Sequence, residues 1–266
     1  MASSIMGRAV NNMRCLILLL AGLVTCAMGS SSRDLFAMSK WAEQQGIVMH
    51  ESLEWKRYND DPLDEDSNWG LELKEPVPPG TTLLQVPRNL VLDADSIGEE
   101  FQVRDGQEKL SLALEQLGDF GIHKEGFFIF LKLLRCSKES EDSQWAPWIQ
   151  ALPKKFPDFT TAEKECLPFY AKYAADYQDK KFQTFCHAAA TLGELKESDP
   201  LDMETAKWAF HAVGSRCWKT APINKDDGEA PNTELVPVGD MFNHREPPNV
   251  AITHDGGSVN FVYKGN

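Results

Sequence analysis

The stretch that decides the fold lies near the end of the chain and reads Leu235-Val-Pro-Val-Gly-Asp-Met-Phe-Asn-His244. Its first part, from Leu235 to Val238, is apolar and rich in β-branched residues and predicts a strand. Asp240, Asn243 and His244 follow directly, so the strand end delivers a carboxylate, an amide and an imidazole into one loop. Buried groups of these kinds need hydrogen-bond partners. The cluster indicates ligand recognition, although an Asp-x-x-Asn-His loop can also cap a helix or tie down a turn.

Metal-binding and nucleophilic chemistry have weaker support in the sequence. His244 and His254 are the candidates for a metal pair, but no third ligand follows at a plausible spacing, so no metal site is predicted. Cys217 could form a nucleophilic pair with a histidine, yet no activating context surrounds it. The cysteines are widely spaced and include no C-x-x-C, so free thiols are expected instead of a zinc site or a disulfide framework.

The chain has strand-rich parts at both ends of its main body. Trp69-Gly-Leu-Glu-Leu73 and Thr82-Leu-Leu-Gln-Val86 predict short strands that flank a Pro- and Gly-rich turn. The segments from Val250 to Thr253 and from Val259 to Tyr263 predict two more, joined by a hairpin signal at Asp255-Gly256-Gly257. Because neither strand-rich end can form a stable sheet alone, the two ends must meet in space. The predicted fold class is α+β.

Helical patterns fill the region between these ends, from about Gly106 to Leu195. Thr160 with Glu163 makes a capping-box signature ahead of a long helical stretch. Further helices are predicted from Asp34 to Gly46 and from an N-cap at Asp202. The apolar residues that these patterns place in the helical core include Leu35, Phe36, Met38, Trp41, Phe169, Tyr173, Tyr177 and Phe182.

The N-terminus has the segment order of a signal peptide. Arg8 and Arg14 precede an apolar stretch from Cys15 to Val24, and small residues follow up to Gly29. The apolar part is too short to span a bilayer stably, so no membrane span is expected after cleavage. Residues 1–29 are therefore expected to direct the chain into the secretory pathway or, as the alternative, into a complex plastid. A buried N-terminal helix is the competing interpretation.

The charge balance bears on the partners. A formal net charge of −13 argues against a nucleic-acid-binding surface, which needs clustered Lys and Arg. The acidic stretch from Asn59 to Asp66 is expected to be a solvated loop. A calcium site is its alternative, but the spacing and the glycine of an EF-hand are absent.

Four segments together resemble the SET-domain methyltransferases of the Rubisco large-subunit methyltransferase group. The segment from Leu235 to His244 is similar to the group's "vP-x-x-D-x-x-N-H". Trp69-Gly70 with Leu84-Gln-Val-Pro87 looks like the first SET strands, although the usual Gly-x-Gly is reduced to Trp69-Gly70. The segment from Ser143 to Pro153 looks like the "S-x-W-x-p-Y-i-x-x-LP" of the helical insertion. Ser215-Arg216 resembles the "S-R" that precedes the final SET strands.

The resemblance implies a SET-type β-rich domain that a large helical insertion interrupts. Residues 34–105 would hold the N-terminal helix and the first SET strands, residues 106–200 the insertion, and residues 201–266 the C-terminal part of the SET domain. The group continues with a "GeE…YG" segment, which supplies the active-site tyrosine and closes a pseudoknot. This pseudoknot segment is expected to be missing, with the catalytic tyrosine beyond Asn266, so that the chain is either truncated or a relative that no longer catalyses.

The implied activity is methyl transfer from S-adenosylmethionine to a protein side chain, usually the ε-amine of lysine. The chain is expected to be a monomer. The cofactor-binding residues implied by the resemblance are Trp69, Gly70, Arg216, Asp240, Asn243 and His244. Among them, Arg216 would hold the amino-acid end of the cofactor, Asn243 and His244 would contact its adenine and ribose side, and Asp240 would support their loop.

Two other interpretations compete with an enzyme. The chain could be a non-catalytic SET-derived binding module that keeps part of the cofactor pocket. It could also be a secreted protein of unrelated fold, and in that case the Trp69 strand and the Asn243 loop would not be in contact.

Overall fold

A computed structural model of the chain describes residues 34–58, 69–139, 143–156, 160–219, 232–244 and 246–265. The signal peptide expected at residues 1–29 and the acidic loop at 59–66 lie outside these ranges. Within the ranges, no helix combines the length and the apolarity that crossing a membrane requires.

The N-terminal part begins with one helix and continues as short strands. Helix α1 spans Leu35–Gln44 and begins at Asp34, whose Oδ1 accepts a hydrogen bond of 2.8 Å from the Ala37 amide. A side-chain acceptor at this position satisfies one of the amides that the first helical turn leaves unpaired. The strands that follow are β1 (Val48–Met49), β2 (Leu53–Arg57), β3 (Trp69–Leu73), β4 (Thr82–Pro87) and β5 (Leu92–Asp93).

The middle of the chain is helical, as the sequence predicts. Its central helix carries the apolar block from Phe127 to Leu134, and this block is buried on every side. The central helix packs against the second and the eighth helix of the chain. A helix that is hydrophobic all round must be covered in this way. The helices are α2 (Ala94–Asp105), α3 (Gln107–Gln116), α4 (Lys124–Glu139), α5 (Ala146–Ala151), α6 (Thr161–Glu165), α7 (Phe169–Leu192) and α8 (Pro200–Arg216).

Strands near the C-terminus pair with strands from the N-terminal part of the chain. They are β6 (Trp218–Lys219), β7 (Thr233–Leu235), β8 (Val250–His254) and β9 (Ser258–Tyr263). Among the described residues the antiparallel sheets have the orders β1-β4-β9-β8, β2-β3 and β5-β7-β6. In this pairing Leu84 lies opposite Phe261 and Leu92 opposite Leu235. The predicted α+β class and the meeting of the two strand-rich ends are confirmed.

Three aromatic residues that the sequence pattern places in the core are on the surface. Phe36 is 81% exposed, Phe169 78% and Tyr173 66%. The N-terminal half of α7 is mostly exposed, and α7 becomes buried only from Phe185 onward. Helical spacing shows which residues share a face, but it cannot show how far along the helix that face is covered.

Two helix starts differ from the prediction. The capping box of Thr160 and Glu163 is present, but it begins the short helix α6, and the long helix begins after Pro168. The N-cap of α8 is Asp199, whose Oδ1 accepts from the Leu201 amide at 3.0 Å, and not Asp202. Pro200 takes the first helical position, where its missing N–H costs nothing.

Candidate functional site

The predicted strand from Leu235 to Val238 ends early and becomes a tight turn. Strand β7 stops at Leu235, and a 3₁₀ turn spans Gly239–Met241. Val238 has φ 66° and ψ −40° and a fully buried side chain. For a β-branched residue this backbone conformation costs about 1–3 kcal/mol. Packing therefore holds a strained residue two positions before Asp240.

Gly239 allows this turn to lie directly on a stack of aromatic rings. A Cβ at position 239 would come within 2.8 Å of Cε2 of Phe261. The Phe261 ring is stacked on Phe242, with centroids 5.0 Å apart and an interplanar angle of 6°, and it meets Trp218 edge-on at 5.4 Å. Because Phe261 is buried among these rings, it has no room to retreat.

Asp240 is the point on which two distant helices converge. Its side chain is fully buried, and Oδ1 accepts a hydrogen bond of 3.0 Å from Nε1 of Trp148 in α5. From the C-terminal end of α8, Nη1 of Arg216 donates to the Asp240 carbonyl oxygen at 2.8 Å and lies 3.7 Å from Oδ2. A buried carboxylate requires such partners, because desolvation strongly penalises an isolated charge.

Arg216 keeps further hydrogen-bonding capacity. Its Nη1 makes the contacts with Asp240 and also lies 3.6 Å from Sδ of Met241. Within the described part of the chain, no residue accepts a hydrogen bond from Nε or Nη2. The Arg216 side chain is 15% exposed, so the guanidinium, which is held through Nη1, is still reachable from solvent. A guanidinium group with a fixed orientation and unused N–H donors is well suited to bind a carboxylate.

Gly70 brings strand β3 against the same loop. A Cβ at Gly70 would lie 2.9 Å from Nδ2 of Asn243, 2.9 Å from Cε2 of Tyr58 and 3.1 Å from the Met241 carbonyl oxygen. The absence of a side chain thus permits the close approach of the strand to the loop. The contact between the Trp69 strand and the Asn243 loop is present, which counts against an unrelated fold.

The structure places the six predicted site residues unequally. Trp69 is half-buried against the core, while Gly70, Asn243, Asp240 and Arg216 form one continuous cluster, which we call the Asp240 cluster. His244 points away from it: its side chain is 91% exposed, and Nε2 lies 3.8 Å from Oε2 of Glu246. The cofactor-binding role of each of these residues stays a prediction.

Sequence reasoning missed three neighbours of the cluster, namely Trp148, Met241 and Tyr58. A signal for Trp148 existed, because a tryptophan expected in the core needs an acceptor for its indole N–H. The sequence gives no such signal for Tyr58 or Met241. Tyr58 borders the cluster only because Gly70 lacks a side chain, and Met241 belongs to it through its contact with Arg216.

The competing chemistries gain no support from the geometry. His254 lies at a different place from His244, with Nε2 3.0 Å from Oε2 of the buried Glu234, which also pairs with Arg88. Burial and the nearby charge of Asp240 raise the pKa of the Cys217 thiol, which opposes formation of the thiolate nucleophile. Among the described residues, no group of three or more His, Cys, Asp and Glu side chains could hold a metal ion.

Trp148→Phe is expected to destabilise the protein by about 1–3 kcal/mol, because it removes the donor to the buried Asp240 carboxylate. Urea unfolding measures the loss. The matched control is Trp208→Phe, which removes an indole bond of 2.8 Å to the neutral carbonyl of Pro153. The control should lose less, about 0.5–1.5 kcal/mol, because its acceptor is uncharged. Equal losses in the two variants would contradict a special contribution of the Trp148 hydrogen bond to the buried Asp240 carboxylate.

Comparison with known proteins gives both sequence relatives and structural neighbours. No family model matches the chain. Actin-histidine N-methyltransferase of Rattus norvegicus is 25% identical over 227 residues, which cover 78% of this chain and 33% of that protein. The Homo sapiens protein of the same name is 24% identical over 222 residues with the same coverage. The chain thus spans about a third of the length of the curated relatives it matches.

Solved structures match over more of the chain. The SET domain of LSMT bound to lysine and AdoHcy aligns with a TM-score of 0.59 at 16% identity, covering 85% of this chain and 49% of that one. Rubisco LSMT bound to AdoMet aligns with a TM-score of 0.56 at 18% identity, covering 86% and 50%. The sheets that join the two ends of the chain, the helical insertion between them and these alignments together show that the chain has a SET-type fold like that of Rubisco LSMT.

Proposed function

We propose that this chain binds S-adenosylmethionine and that its activity is methyl transfer to a protein side chain. The observation that carries the proposal is the Asp240 cluster, in which Gly70, Asn243 and Arg216 meet beside one buried carboxylate. Structures of the same fold hold AdoMet, AdoHcy or sinefungin, which supports the choice of cofactor.

The cluster fits this cofactor on two counts. The remaining N–H donors of Arg216 would hold the carboxylate of its amino-acid end through charge-assisted hydrogen bonds. Gly70 keeps the β3 backbone against the Asn243 amide, since a Cβ there would lie 2.9 Å from Nδ2 of Asn243, so a molecule bound at this amide would also lie close to the strand backbone. Asn243 has an exposed side-chain amide, which can both donate to and accept from a purine or a ribose.

The bound cofactor would supply a methyl group on a positively charged sulfur. The task of this chain is then alignment, because a displacement at carbon gains most from holding the reactants in line. Trp148 and Arg216 hold Asp240 from two helices, so the loop that carries Asn243 is fixed at its start. Side chains that packing fixes in this way lose little entropy when a ligand binds.

We propose a lysine ε-amine as the acceptor, following the sequence resemblance and the neighbouring structures bound to lysine or monomethyllysine. Histidine is the second candidate, because the curated relatives are named for it. Both acceptors are nitrogen nucleophiles that must be unprotonated to react, and desolvation in a closed site favours the neutral form of each.

Tritiated S-adenosylmethionine tests the proposal with the 266-residue chain and with native actin and the Rubisco large subunit as protein probes. We expect label in protein that is recovered as methyllysine after hydrolysis. Recovery as methylhistidine would select the second candidate. Saturable cofactor binding without label in any probe would favour the non-catalytic SET-derived module, and the absence of both would overturn the proposal.

A further inference from the structure

A cavity of about 280 Å³ lies among α4, α7, α8 and β6. Part of its wall is apolar and is formed by Phe185, Phe210 and Val213. Trp218 lines it from β6, next to Cys217. Its size suits a side chain or a small molecule.

The cavity carries more positive than negative charge. Its two positive groups are Lys181 and Lys219, its wall also includes the imidazole of His123, and its one lining carboxylate is Glu125, which accepts a hydrogen bond of 2.5 Å from Oγ1 of Thr233. Nζ of Lys181 lies 5.0 Å from the centroid of the Phe210 ring. In the part of the chain that the structure describes, neither lysine pairs with a carboxylate.

Burial affects both Lys181 and His123, and the two lysines also act on His123. Burial lowers the pKa of Lys181. Burial, followed by the charges of Lys181 and Lys219, lowers the pKa of His123. An anion in the cavity would offset the lysine charges that act on His123 and give the partly buried Lys181 a partner.

The cavity adjoins the Asp240 cluster. Cys217 lines the cavity and directly follows Arg216 in the chain. Arg216 donates to the Asp240 carbonyl oxygen at 2.8 Å, and Trp218, the residue after Cys217, meets edge-on the Phe261 ring on which Gly239 lies. A group bound in the cavity would therefore lie near the proposed cofactor.

We propose that the cavity binds the side-chain carboxylate of an Asp or Glu in the protein substrate, close to the residue that receives the methyl group. The apolar rings suit the methylene stem of such a side chain, and Lys181 suits its carboxylate. Glu125 in the wall disfavours a multiply charged group such as a phosphate. The inference rests on the proposed function for the identity of the ligand, but not for the binding itself.

A binding experiment tests the cavity without catalysis. N-acetyl-L-glutamate N-methylamide and its glutamine counterpart are titrated into the 266-residue chain, and the Trp218 indole resonance is followed by NMR. We expect the glutamate probe to bind at least about tenfold more tightly than the glutamine probe, the difference that one charge-assisted contact makes. Lys181→Gln should abolish the preference, whereas Lys180→Gln, which changes an exposed neighbour on the same helix, should keep it.

A peptide library tests the substrate role. Peptides with a fixed central lysine or histidine and randomised flanks are methylated with wild type, Lys181→Gln and Lys180→Gln. We expect enrichment of Asp and Glu at one flanking position, lost only in Lys181→Gln. Equal binding of the two probes, or a preference that survives Lys181→Gln, overturns the inference. If peptides are methylated without enrichment of Asp or Glu, the cavity does not select the protein substrate, and that part of the inference is overturned. If the glutamate probe binds as expected but no peptide is methylated, the proposed function is overturned instead.

Discussion

Gly239→Ala is expected to destabilise the protein by about 3 kcal/mol, at the upper end of the cost of overpacking a core. The new methyl group would collide with the ring of Phe261, which is buried between Phe242 and Trp218. Relief would require either breaking this stack or moving the turn that carries Asp240. Urea unfolding measures the loss of stability.

Gly121→Ala provides the control for this substitution. No atom lies within 4 Å of a Cβ at Gly121, and its backbone does not have a positive φ. The control should therefore change the free energy of unfolding by less than about 0.5 kcal/mol. If Gly239→Ala is equally harmless, the turn does not pack as described.

Arg216→Gln is expected to weaken S-adenosylmethionine binding about tenfold to a hundredfold. The reason is that a charge-assisted hydrogen bond contributes about 1.5–3 kcal/mol, and about 1.4 kcal/mol corresponds to a factor of ten. Glutamine keeps a polar group near the Asp240 carbonyl but removes the cationic fork. Isothermal titration calorimetry on folded wild type and variant measures the ratio of the dissociation constants.

Arg104→Gln is the matched control for Arg216→Gln. Arg104 lies at the end of α2, where it pairs with Asp105 and Glu194, and it is remote in sequence from the Asp240 cluster. Its substitution should leave the affinity for the cofactor unchanged. An equal loss of affinity in both variants would point to general destabilisation instead of a contact made by Arg216.

The sequence resemblance was sufficient to predict which segments meet, but not how they are held. The predicted strand β3, the loop at Asn243 and Arg216 do come together. The bond between Trp148 and Asp240 joins residues 92 positions apart, and no local pattern encodes a tertiary contact of that kind. The positive φ of Val238 could not be predicted either, because packing imposes it on a residue type that avoids it.

Sequence motifs predict the structure best where the hydrogen bonds they describe join residues close in sequence. The capping box at Thr160 is an example, since its hydrogen bonds join residues three positions apart. The N-cap predicted at Asp202 is wrong, although Asp199-Pro200 carries the N-cap and N1 signals that fit the observed start of α8. Burial is harder to predict, because it depends on neighbours from other segments. Phe169 and Tyr173 are exposed although the helical pattern places them in the core.

The most direct test of the central claim is calorimetric titration of S-adenosylmethionine into the wild-type 266-residue chain. If the Asp240 cluster is the cofactor site, binding is saturable with one molecule per chain, and the cofactor raises the thermal unfolding temperature, because a ligand of the native state stabilises it. Absence of both the binding heat and the shift in unfolding temperature at millimolar cofactor would contradict the account.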